Sequence, residues 1–417
     1  MDRARTHRAG RIGVTLTLVL SAACAVFGAE PAQALTVQPT GSVTVTLLGN
    51  GHGHGMSQYG ARGAAIAGLT APQIVAFYYP GTKLVERRRG VIHVQISGTG
   101  SAVTVLPAAD LTVTGLADPL PTTGVRRYRL VAGVGKGLWL QRLNTGSAAT
   151  WKTVQGQLPD GAAFHRTSWA PVRVLMTDGT SRDYYGYLAA RRNSASGAAG
   201  GVLTVNKVSL DNYTAGVVSE EIPTSWQRAA VNAQAIAART YGAYAVDHPA
   251  DSRYDICDTS WCQVYGGHAH YDSSGRLLWS DYPRAATATA RQVLEYRGAT
   301  IFAQFGASNG GWMVDGGQPY LVSKADPYDN AASGDPYLFY KRKMSVGALA
   351  GHFGLASVNN VVISKRDGNG TWNGRVLAGY VEGMNSHGLP AKVAVTGSEF
   401  ASAFGVGTTW FNLRATA

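Results

Sequence analysis

Residues 210–241, LDNYTAGVVSEEIPTSWQRAAVNAQAIAARTY, constrain the fold of this chain more than any other stretch. A short amphipathic segment ends in two glutamates, and a proline and a long alanine-rich run follow. Alanine is the strongest helix former, so residues 226–245 are predicted to form one long helix, with Pro223 near its start. Its small side chains let neighbouring elements approach closely, so we expect this helix to be central and buried. Gln234 and Arg239 would each need a polar partner there.

The remaining pattern predicts much β-structure. Apolar residues alternate at residues 43–48 and in short runs across residues 90–207, and the chain has 52 glycines. Further helices are predicted at residues 56–69, 71–79 and 210–219, the last with Ser209 as N-cap. The predicted class is α+β, a β-rich scaffold with a central buried alanine-rich helix.

Five segments are predicted along the chain. They are a signal peptide at 1–34, a glycine-histidine segment with two short helices at 35–89, a β-rich region at 90–200, a catalytic core with Glu221 and the alanine-rich helix at 201–345, and a C-terminal β segment at 346–417.

The first 34 residues carry the marks of an export signal. Four arginines precede an apolar run at residues 12–20, and Ala32-Gln33-Ala34 has the form of a signal peptidase site. We therefore expect a secreted or cell-wall protein. An uncleaved anchor is one alternative, although the apolar run is short for a membrane span. A lipoprotein at Cys24 is another, although the usual aliphatic residue three positions earlier is missing.

The formal net charge is +12, and it would be +10 without the first 34 residues. A basic exported chain suits anionic polymers, such as a cell wall or a phospholipid surface. Apart from residues 87–89 the arginines are scattered, and no DNA-binding motif is present. Nucleic acid is therefore not a predicted partner.

Two cysteines remain after the signal peptide, Cys257 and Cys262. Outside the cell, two cysteines this close favour a disulfide that closes a small loop. The rival is a metal site that includes nearby histidines, but the spacing matches no zinc pattern. We predict the disulfide and no metal.

The dipeptide Glu220-Glu221 is the candidate for chemistry. At the C-terminal end of a helix, the dipole, apolar neighbours and the adjacent like charge all raise the pKa of a carboxyl group. A glutamic acid that is protonated near neutral pH can protonate a glycosidic oxygen. The alternative is a pair of solvated glutamates at a helix end.

Five blocks together resemble the stage II sporulation protein D (SpoIID/LytB) family and span almost the whole mature chain. They are GHGHGMSQYGARGAAIAGLTAPQIVAFYYPGTKL at 51–84, VNKVSLDNYTAGVVSEEIPTSWQRAAVNAQAIAARTYGAY at 205–244, CDTSWCQVYGG at 257–267, FGASNGGWMVDGGQPYLVSKADPYD at 305–329, and TGSEFASAFGVGTTWFNL at 396–413. The family includes enzymes that cut cell-wall glycan, in its sporulation member after the stem peptides have been removed.

The resemblance implies a lytic transglycosylase that cleaves MurNAc–GlcNAc bonds and leaves 1,6-anhydro-MurNAc ends. It carries the family's catalytic glutamate onto Glu221, whereas Glu220 falls where the family holds no acid. One carboxyl group suffices, because the sugar's own C6 hydroxyl replaces an enzyme nucleophile. A hydrolase would need a second carboxyl group, for which Asp258, Asp315 and Asp326 are candidates.

The resemblance also suggests a substrate-binding set, for which tight turns and buried polar clusters are the alternative roles. Its members are Gln263, Tyr265, Gly267, Ser308, Asn309, Gly310, Gly311, His54 and Gln58. Tyrosine can stack on a sugar face, and glycines let a backbone approach a ligand.

Three departures from the family pattern matter. The glycine-histidine block is usually near the family's C-terminus, so we predict that residues 51–84 pack beside residues 393–413. Some relatives bind zinc through cysteine and histidine, but Trp261 precedes Cys262 where a histidine would be needed. Trp312 and Ala401 replace the usual threonine and arginine, so substrate detail is expected to differ.

The alternative function is a non-catalytic wall-binding module that enhances an amidase, which the LytB side of the family suggests. The predicted partners are peptidoglycan glycan strands and, for this alternative, a cell-wall amidase. A role in sporulation follows from the family name alone.

Overall fold

The computed structural model describes residues 34–87, 90–146, 150–193 and 201–416. The predicted signal peptide therefore lies outside the described residues, apart from Ala34. The α+β class is confirmed, because strands outnumber helices and four of the helices pack around one long helix. Within the described residues, no helix has both the length and the apolar character needed to cross a membrane.

The helices are α1 (Gln58–Ile66), α2 (Ala71–Tyr78), α3 (Leu210–Glu221), α4 (Arg228–Asp247), α5 (Pro283–Ala288), α6 (Val346–His352) and α7 (Gly397–Phe404). The first strands are β1 (Leu35–Val37), β2 (Ser42–Leu48), β3 (Met56–Ser57), β4 (Lys83–Glu86), β5 (Val91–Ile96), β6 (Val103–Val105), β7 (Leu111–Val113), β8 (Val125–Ala132), β9 (Leu138–Asn144), β10 (Trp151–Leu158), β11 (Ala163–Arg166), β12 (Val172–Leu175), β13 (Ser181–Tyr184) and β14 (Tyr187–Asn193). The later strands are β15 (Gly201–Ser209), β16 (Ile256–Cys257), β17 (Ala269–Tyr271), β18 (Leu277–Ser280), β19 (Gln292–Tyr296), β20 (Ala299–Thr300), β21 (Phe305–Gly306), β22 (Trp312–Met313), β23 (Lys324–Ala325), β24 (Leu338–Ser345), β25 (Ser357–Arg366), β26 (Val376–Met384), β27 (Pro390–Thr396) and β28 (Phe411–Thr416).

Two large sheets form the scaffold. Their strand orders are β10-β9-β8-β6-β12-β13-β17-β18 and β16-β5-β15-β14-β11-β7. Alternate side chains point into one shared apolar core, as Ile92, Val94 and Ile96 do along β5. Both sheets take strands from either side of residue 200. The regions predicted at 90–200 and 201–345 are therefore interwoven through strand pairing.

The N-terminal strand β2 is the central strand of a three-stranded sheet, between β24 and β28. Its inward-facing residues Val43, Val45 and Leu47 are fully buried in a second core with β25, β26 and α7. Beyond β2, the backbone N–H of Gly51 donates to the carbonyl oxygen of Gly407 at 2.7 Å. The predicted packing of residues 51–84 beside residues 393–413 is thus found for residues 51–54, whereas the two helices that follow them pack against α4.

Helix α4 is buried on most of its circumference. Ala238 contacts the core of the two large sheets, Ala237 contacts the cluster around Tyr78 and Tyr79, and Ala235 contacts a smaller cluster with α3. The methyl side chains allow this approach from three directions because nothing longer separates the helix from its neighbours. The prediction of a central buried helix is confirmed.

The two polar residues of α4 differ in how they are satisfied. The guanidinium of Arg239 is 1% exposed and donates to the Asp211 carboxylate, the Thr289 hydroxyl and the Ala286 carbonyl oxygen. It therefore ties α4 to α3 and α5, as predicted. The amide group of Gln234 has no hydrogen-bond partner among the described residues, contrary to expectation. Nothing in the structure explains why a polar side chain occupies this buried position.

The packing of α4 can be tested by enlarging one alanine. Ala237→Leu should lower the free energy of unfolding by about 1–3 kcal/mol, because a fully buried site cannot take three more carbon atoms without strain. Ala76→Leu, at an exposed position of α2, should change it by less than about 0.5 kcal/mol. Urea denaturation measures both, and equal effects would contradict the close packing of α4.

Candidate active site

Both glutamates lie in the last turn of α3. The Ser209 hydroxyl accepts a hydrogen bond from the backbone N–H of Asn212, as expected of an N-cap. The helix continues two residues beyond its predicted end and stops at Ile222, whose backbone is extended before Pro223. Pro223 itself ends α3 rather than starting α4, which begins at Arg228. The negative end of the α3 dipole therefore acts on both carboxyl groups.

Three distant segments meet at the carboxyl group of Glu221. Its Oε1 accepts a hydrogen bond from the backbone N–H of Val264 at 3.1 Å, and its Oε2 accepts one from Gln58 Nε2 at 3.4 Å. Gln58 is the first residue of α1 and is buried. The residue Glu221 is half-buried. Its carboxyl group is thus held in place between two donors.

Burial raises the pKa of Glu221 above its ordinary value, and the nearby charge of Glu220 raises it further. The hydrogen bonds from Val264 and Gln58 lower it, but burial is the larger effect. The direction of this pKa shift is the one the sequence predicted. A carboxyl group of this kind keeps its proton to a higher pH than a solvated glutamate does.

Glu220 points to the other side of the segment that carries Val264. Its Oε1 lies 3.8 Å from His270 Nε2, and a methyl group at Gly266 would collide with its carboxylate. Burial raises the pKa of Glu220, although the residue is exposed. The two adjacent glutamates therefore have different surroundings, and only Glu221 accepts hydrogen bonds from both the glycine-histidine segment and the Val264 backbone.

The residues predicted to bind sugar around Val264 are buried. Gln263 and Tyr265 are 1% and 2% exposed; the Tyr213 hydroxyl donates to Gln263 Oε1, and the Tyr265 hydroxyl donates to Asn206 Oδ1. Gly267 has φ of +77° and lies against the Asp183 backbone. A ring this enclosed offers no face to a sugar, so the stacking predicted for Tyr265 is wrong for this conformation. These residues instead hold the segment from which Val264 donates.

Ser308, Asn309, Gly310 and Gly311 belong to a second buried cluster. Asp329 Oδ2 accepts hydrogen bonds from the Ser308 hydroxyl and from the backbone N–H groups of Asn309 and Gly310, and the Gly311 N–H donates to Asn309 Oδ1. These contacts turn the polar groups inward. They give the buried residues Ser308 and Asn309 a structural role, whereas contact of the half-buried Gly310 and Gly311 with substrate stays a prediction.

This cluster positions Gln58. The hydroxyl of Ser57, the N-cap of α1, donates to Asp329 Oδ2 at 2.8 Å. Burial and the neighbouring charge of Asp329 raise the pKa of Asp326 to about 6, and burial also raises the pKa of Asp329. The sequence analysis did not predict this acidic cluster, because its residues are recognisable as a cluster only where α1 packs against them.

The candidates for a second catalytic carboxyl group are engaged elsewhere. Asp326 Oδ2 accepts from the Tyr78 hydroxyl and Asn309 Nδ2, and Asp258 Oδ2 accepts from the backbone N–H of Ser97. Asp315 lines a cavity to which Glu221 does not contribute. None of these contacts joins them to Glu221.

His54 faces that cavity, of about 790 Å³, together with His52, Asp315 and Arg375. His52 Nδ1 accepts a hydrogen bond from the backbone N–H of His54, and burial lowers the pKa of His52 to about 4. Burial also lowers the pKa of His54. Glu221 does not line this cavity, so His54 and Gln58 face different places although they share one loop.

A group of half-buried aromatic rings that includes Tyr59, the residue after Gln58, was missed by the sequence analysis. Trp226 lies in the connection after α3, and its ring centroid is 4.9 Å from that of Tyr59, the residue after Gln58. Tyr59 is 6.0 Å from Tyr337, which is 5.8 Å from Tyr340. We call Trp226, Tyr59, Tyr337 and Tyr340 the aromatic row. In the sequence, only the position of Tyr59 next to Gln58 could have indicated the aromatic row.

Cys257 and Cys262 form a disulfide, with their Cα atoms 5.7 Å apart. The closed loop carries Trp261, whose side chain is 93% exposed, and ends two residues before Val264. The crosslink thus restrains the segment that donates to Glu221. Among the described residues, no group of three or more histidine, cysteine, aspartate or glutamate side chains could hold a metal ion.

The backbone around Val264 can be tested at Gly267. Gly267→Ala should destabilise the protein both through its positive φ and through collision, since a Cβ there would lie 2.7 Å from the Asp183 carbonyl oxygen. Gly275→Ala is the matched control, because its φ is +83° and no atom lies within 4 Å of the added methyl group. We expect the control to cost about 1–2 kcal/mol of unfolding free energy and Gly267→Ala about 1–3 kcal/mol more. Equal costs in urea denaturation would show that the contact is loose.

A family model matches the part of the chain that carries Glu221 and Val264. The family model described as Stage II sporulation protein (SpoIID) matches residues 198–296. The Amidase enhancer of Bacillus subtilis (strain 168) is 34% identical over 121 residues, which are 27% of this chain and 15% of that protein. The Stage II sporulation protein D of the same organism is 30% identical over 142 residues, 30% of this chain and 41% of that protein.

An uncharacterised protein of Brachyspira hyodysenteriae (strain ATCC 49526 / WA1) is 32% identical over 111 residues, which are 26% of this chain and 28% of that protein. The chain spans less than half the length of each of these relatives. The matched residues 198–296 include α3, α4, the disulfide loop and Val264. Within this segment the chain matches the SpoIID family model, as its sequence motifs had indicated.

Proposed function

We propose that this protein is a lytic transglycosylase that cleaves MurNAc–GlcNAc bonds of peptidoglycan glycan, with Glu221 as acid and base. The observation that carries the proposal is the half-buried carboxyl group of Glu221, whose pKa is raised and which two donors hold in place. Its match to the SpoIID family model and the similarity to Stage II sporulation protein D support it.

One carboxyl group accounts for the reaction. Glu221 gives its proton to the glycosidic oxygen as the bond from the anomeric carbon breaks. The resulting carboxylate takes the proton of the C6 hydroxyl of the same sugar, whose oxygen then bonds to the anomeric carbon. The proton returns to Glu221, no water is consumed, and the product carries a 1,6-anhydro end.

The two donors suit this cycle because they act on the charged form. Val264 N–H and Gln58 Nε2 stabilise the carboxylate after it has given up its proton, while burial favours the acid beforehand. Neither the protonated nor the charged form of Glu221 needs a second carboxyl group. This agrees with the contacts of Asp258, Asp315 and Asp326, none of which joins them to Glu221.

The proposal places the protein outside the cytoplasmic membrane, where its substrate is. The predicted signal peptide and the net charge of +12 support that location. A role in sporulation is suggested by the description of the family model and by the name of the relative Stage II sporulation protein D.

The matched pair Glu221→Gln and Glu220→Gln tests the assignment of the acid. Glu221→Gln should lower the release of anhydro-ended products from peptide-stripped glycan by at least about 100-fold, because the amide cannot transfer the proton. Glu220→Gln should keep most of the activity. Chromatography and mass spectrometry of the digest measure both. Full activity in Glu221→Gln would reject the assignment, and reducing ends in place of anhydro ends would make the protein a hydrolase.

The second candidate is a non-catalytic module that binds the wall and enhances an amidase. The similarity to a protein named Amidase enhancer favours it. In the same assay, this module would bind glycan without turnover, and adding it to a cell-wall amidase would increase the release of stem peptides. Glu221→Gln would then enhance the amidase as well as the unchanged protein does.

The pH dependence tests the donor Gln58. Since the acid must be protonated, kcat/KM should fall as pH rises through the pKa of Glu221. Gln58→Ala removes a hydrogen bond that favours the carboxylate, so the pKa should rise and this alkaline limb should move to higher pH. Gln155→Ala, at an exposed position of β10, is the control and should leave the limb in place. A limb that stays or moves down in Gln58→Ala would contradict the contact with Glu221.

A further inference from the structure

The cavity of about 790 Å³ is lined by both the glycine-histidine segment and the C-terminal segment. His54 belongs to one side of its wall, and Arg375, Leu377 of β26 and Ser402 of α7 belong to the other. Its volume falls in the range of about 300–1,000 Å³ that is usual for sites enclosing a small ligand. Glu221 does not line this cavity, and the proposed function does not use it.

Arg375 supplies a buried cation to the wall of the cavity. The residue is 5% exposed, and its Nη1 and Nη2 donate to the Thr408 hydroxyl and the Asn309 carbonyl oxygen, which are both uncharged. No carboxylate oxygen of the described residues comes within 4.0 Å of its nitrogens. Burial lowers the pKa of Arg375 to about 10, so the guanidinium is charged at neutral pH. A buried charge without an ion pair is costly, and an anionic group of a ligand would offset that cost.

Two carboxylates line the same cavity. Asp315 is exposed, and its Oδ1 accepts a hydrogen bond from the backbone N–H of Gly317 at 2.8 Å. Asp367 is half-buried, and its Oδ1 accepts from two backbone N–H groups of its own loop at 3.0 and 3.1 Å. His52 and His54 add no charge at neutral pH, because burial and a nearby arginine lower the pKa of each. Asp315 is therefore the less restrained anion of a cavity that also holds a cation.

The rest of the wall is small and partly apolar. Val314, Leu377 and Val406 contribute apolar surface, and Leu377 is 44% exposed although it is a large apolar residue. Ser398 and Ser402 contribute exposed hydroxyl-bearing positions on α7. Such a wall suits a ligand that has methyl-sized apolar groups along a polar backbone.

We propose that this cavity binds a short peptide with free ends, its carboxylate at Arg375 and its ammonium group at Asp315. The two aspartates would repel a ligand that carries only negative charge, and Arg375 would repel one that carries only positive charge. A short peptide carries both charges, and alanine methyl groups would fit against Val314 and Leu377. The inference does not depend on the proposed function, because Glu221 does not line the cavity.

Binding of small peptides tests the proposal. The protein is titrated calorimetrically with trialanine, with N-acetyl-trialanine and with trialanine amide. Acetylation removes the ammonium group and amidation removes the carboxylate, so we expect each change to weaken binding about tenfold, in line with one charge-assisted contact. Asp315→Asn should remove the effect of acetylation and keep that of amidation. Asp118→Asn, at an exposed position outside the cavity, is the matched control and should keep both effects.

A second variant blocks the cavity without touching the buried arginine, whose replacement would disturb the contacts with Thr408 and Asn309. Ser402→Trp places an indole in the cavity from an exposed position of α7 and should abolish trialanine binding. The thermal midpoint of unfolding should stay unchanged, which shows that the loss of binding is local.

Three results would overturn the proposal: no binding of trialanine, equal binding of trialanine and its acetylated form, or full binding by Ser402→Trp. None of them bears on glycan cleavage at Glu221, which is measured separately. The free stem tetrapeptide of peptidoglycan distinguishes the sources of the peptide. Tighter binding of this tetrapeptide than of trialanine would support the proposal with the cell wall as source, and tighter binding of trialanine would support it with protein fragments as source.

Discussion

The close packing of α4 is the constraint on which the rest of the structure depends. Its alanines let the large sheets, α2 and α3 all approach one helix. Because α3 ends in the two glutamates and α1 and α2 lie on another side of the same helix, this packing brings Gln58 within reach of Glu221. A longer side chain on α4 would push these elements apart and would separate the acid from its donor.

The environment of Glu221 combines opposing effects on the pKa of its carboxyl group. Burial and the end of α3 favour the protonated acid, whereas Val264 and Gln58 favour the carboxylate. Each effect comes from a different segment, and each segment is held by its own buried polar contacts. The Asp329 cluster fixes the start of α1, and Tyr213 and Asn206 fix the segment around Val264. The partners of these groups include Gln263, Tyr265 and Ser308, which the sequence analysis had assigned to substrate binding.

The elements with strong local signals could be predicted from the sequence. Alanine content identified α4, the Ser209 cap identified α3, and alternation identified β5 and β8. Strand β10 was missed because it is mostly exposed at the edge of its sheet and lacks alternation. Within the alternating runs predicted across residues 90–207, Gly186 turns the chain with φ of +84° and separates β13 from β14.

The site was only partly predictable for a related reason. Glu221 carries its own signal, through the apolar residues and the helix end beside it. Burial of Gln263 and Tyr265, and the contact between Tyr59 and Tyr337, depend on residues far apart in the chain. No local sequence pattern shows whether a tyrosine ring will be buried in the core or exposed at the surface.

Strand β2 has a consequence for the order in which the protein matures. It needs β24 on one side and β28 on the other, so its sheet cannot close until both of these distant strands have joined it. Gln58 follows β2 by ten residues, and contacts between such distant parts of a chain form late. A partly folded chain would therefore hold its glutamate without the glutamine that faces it until the sheet around β2 has closed.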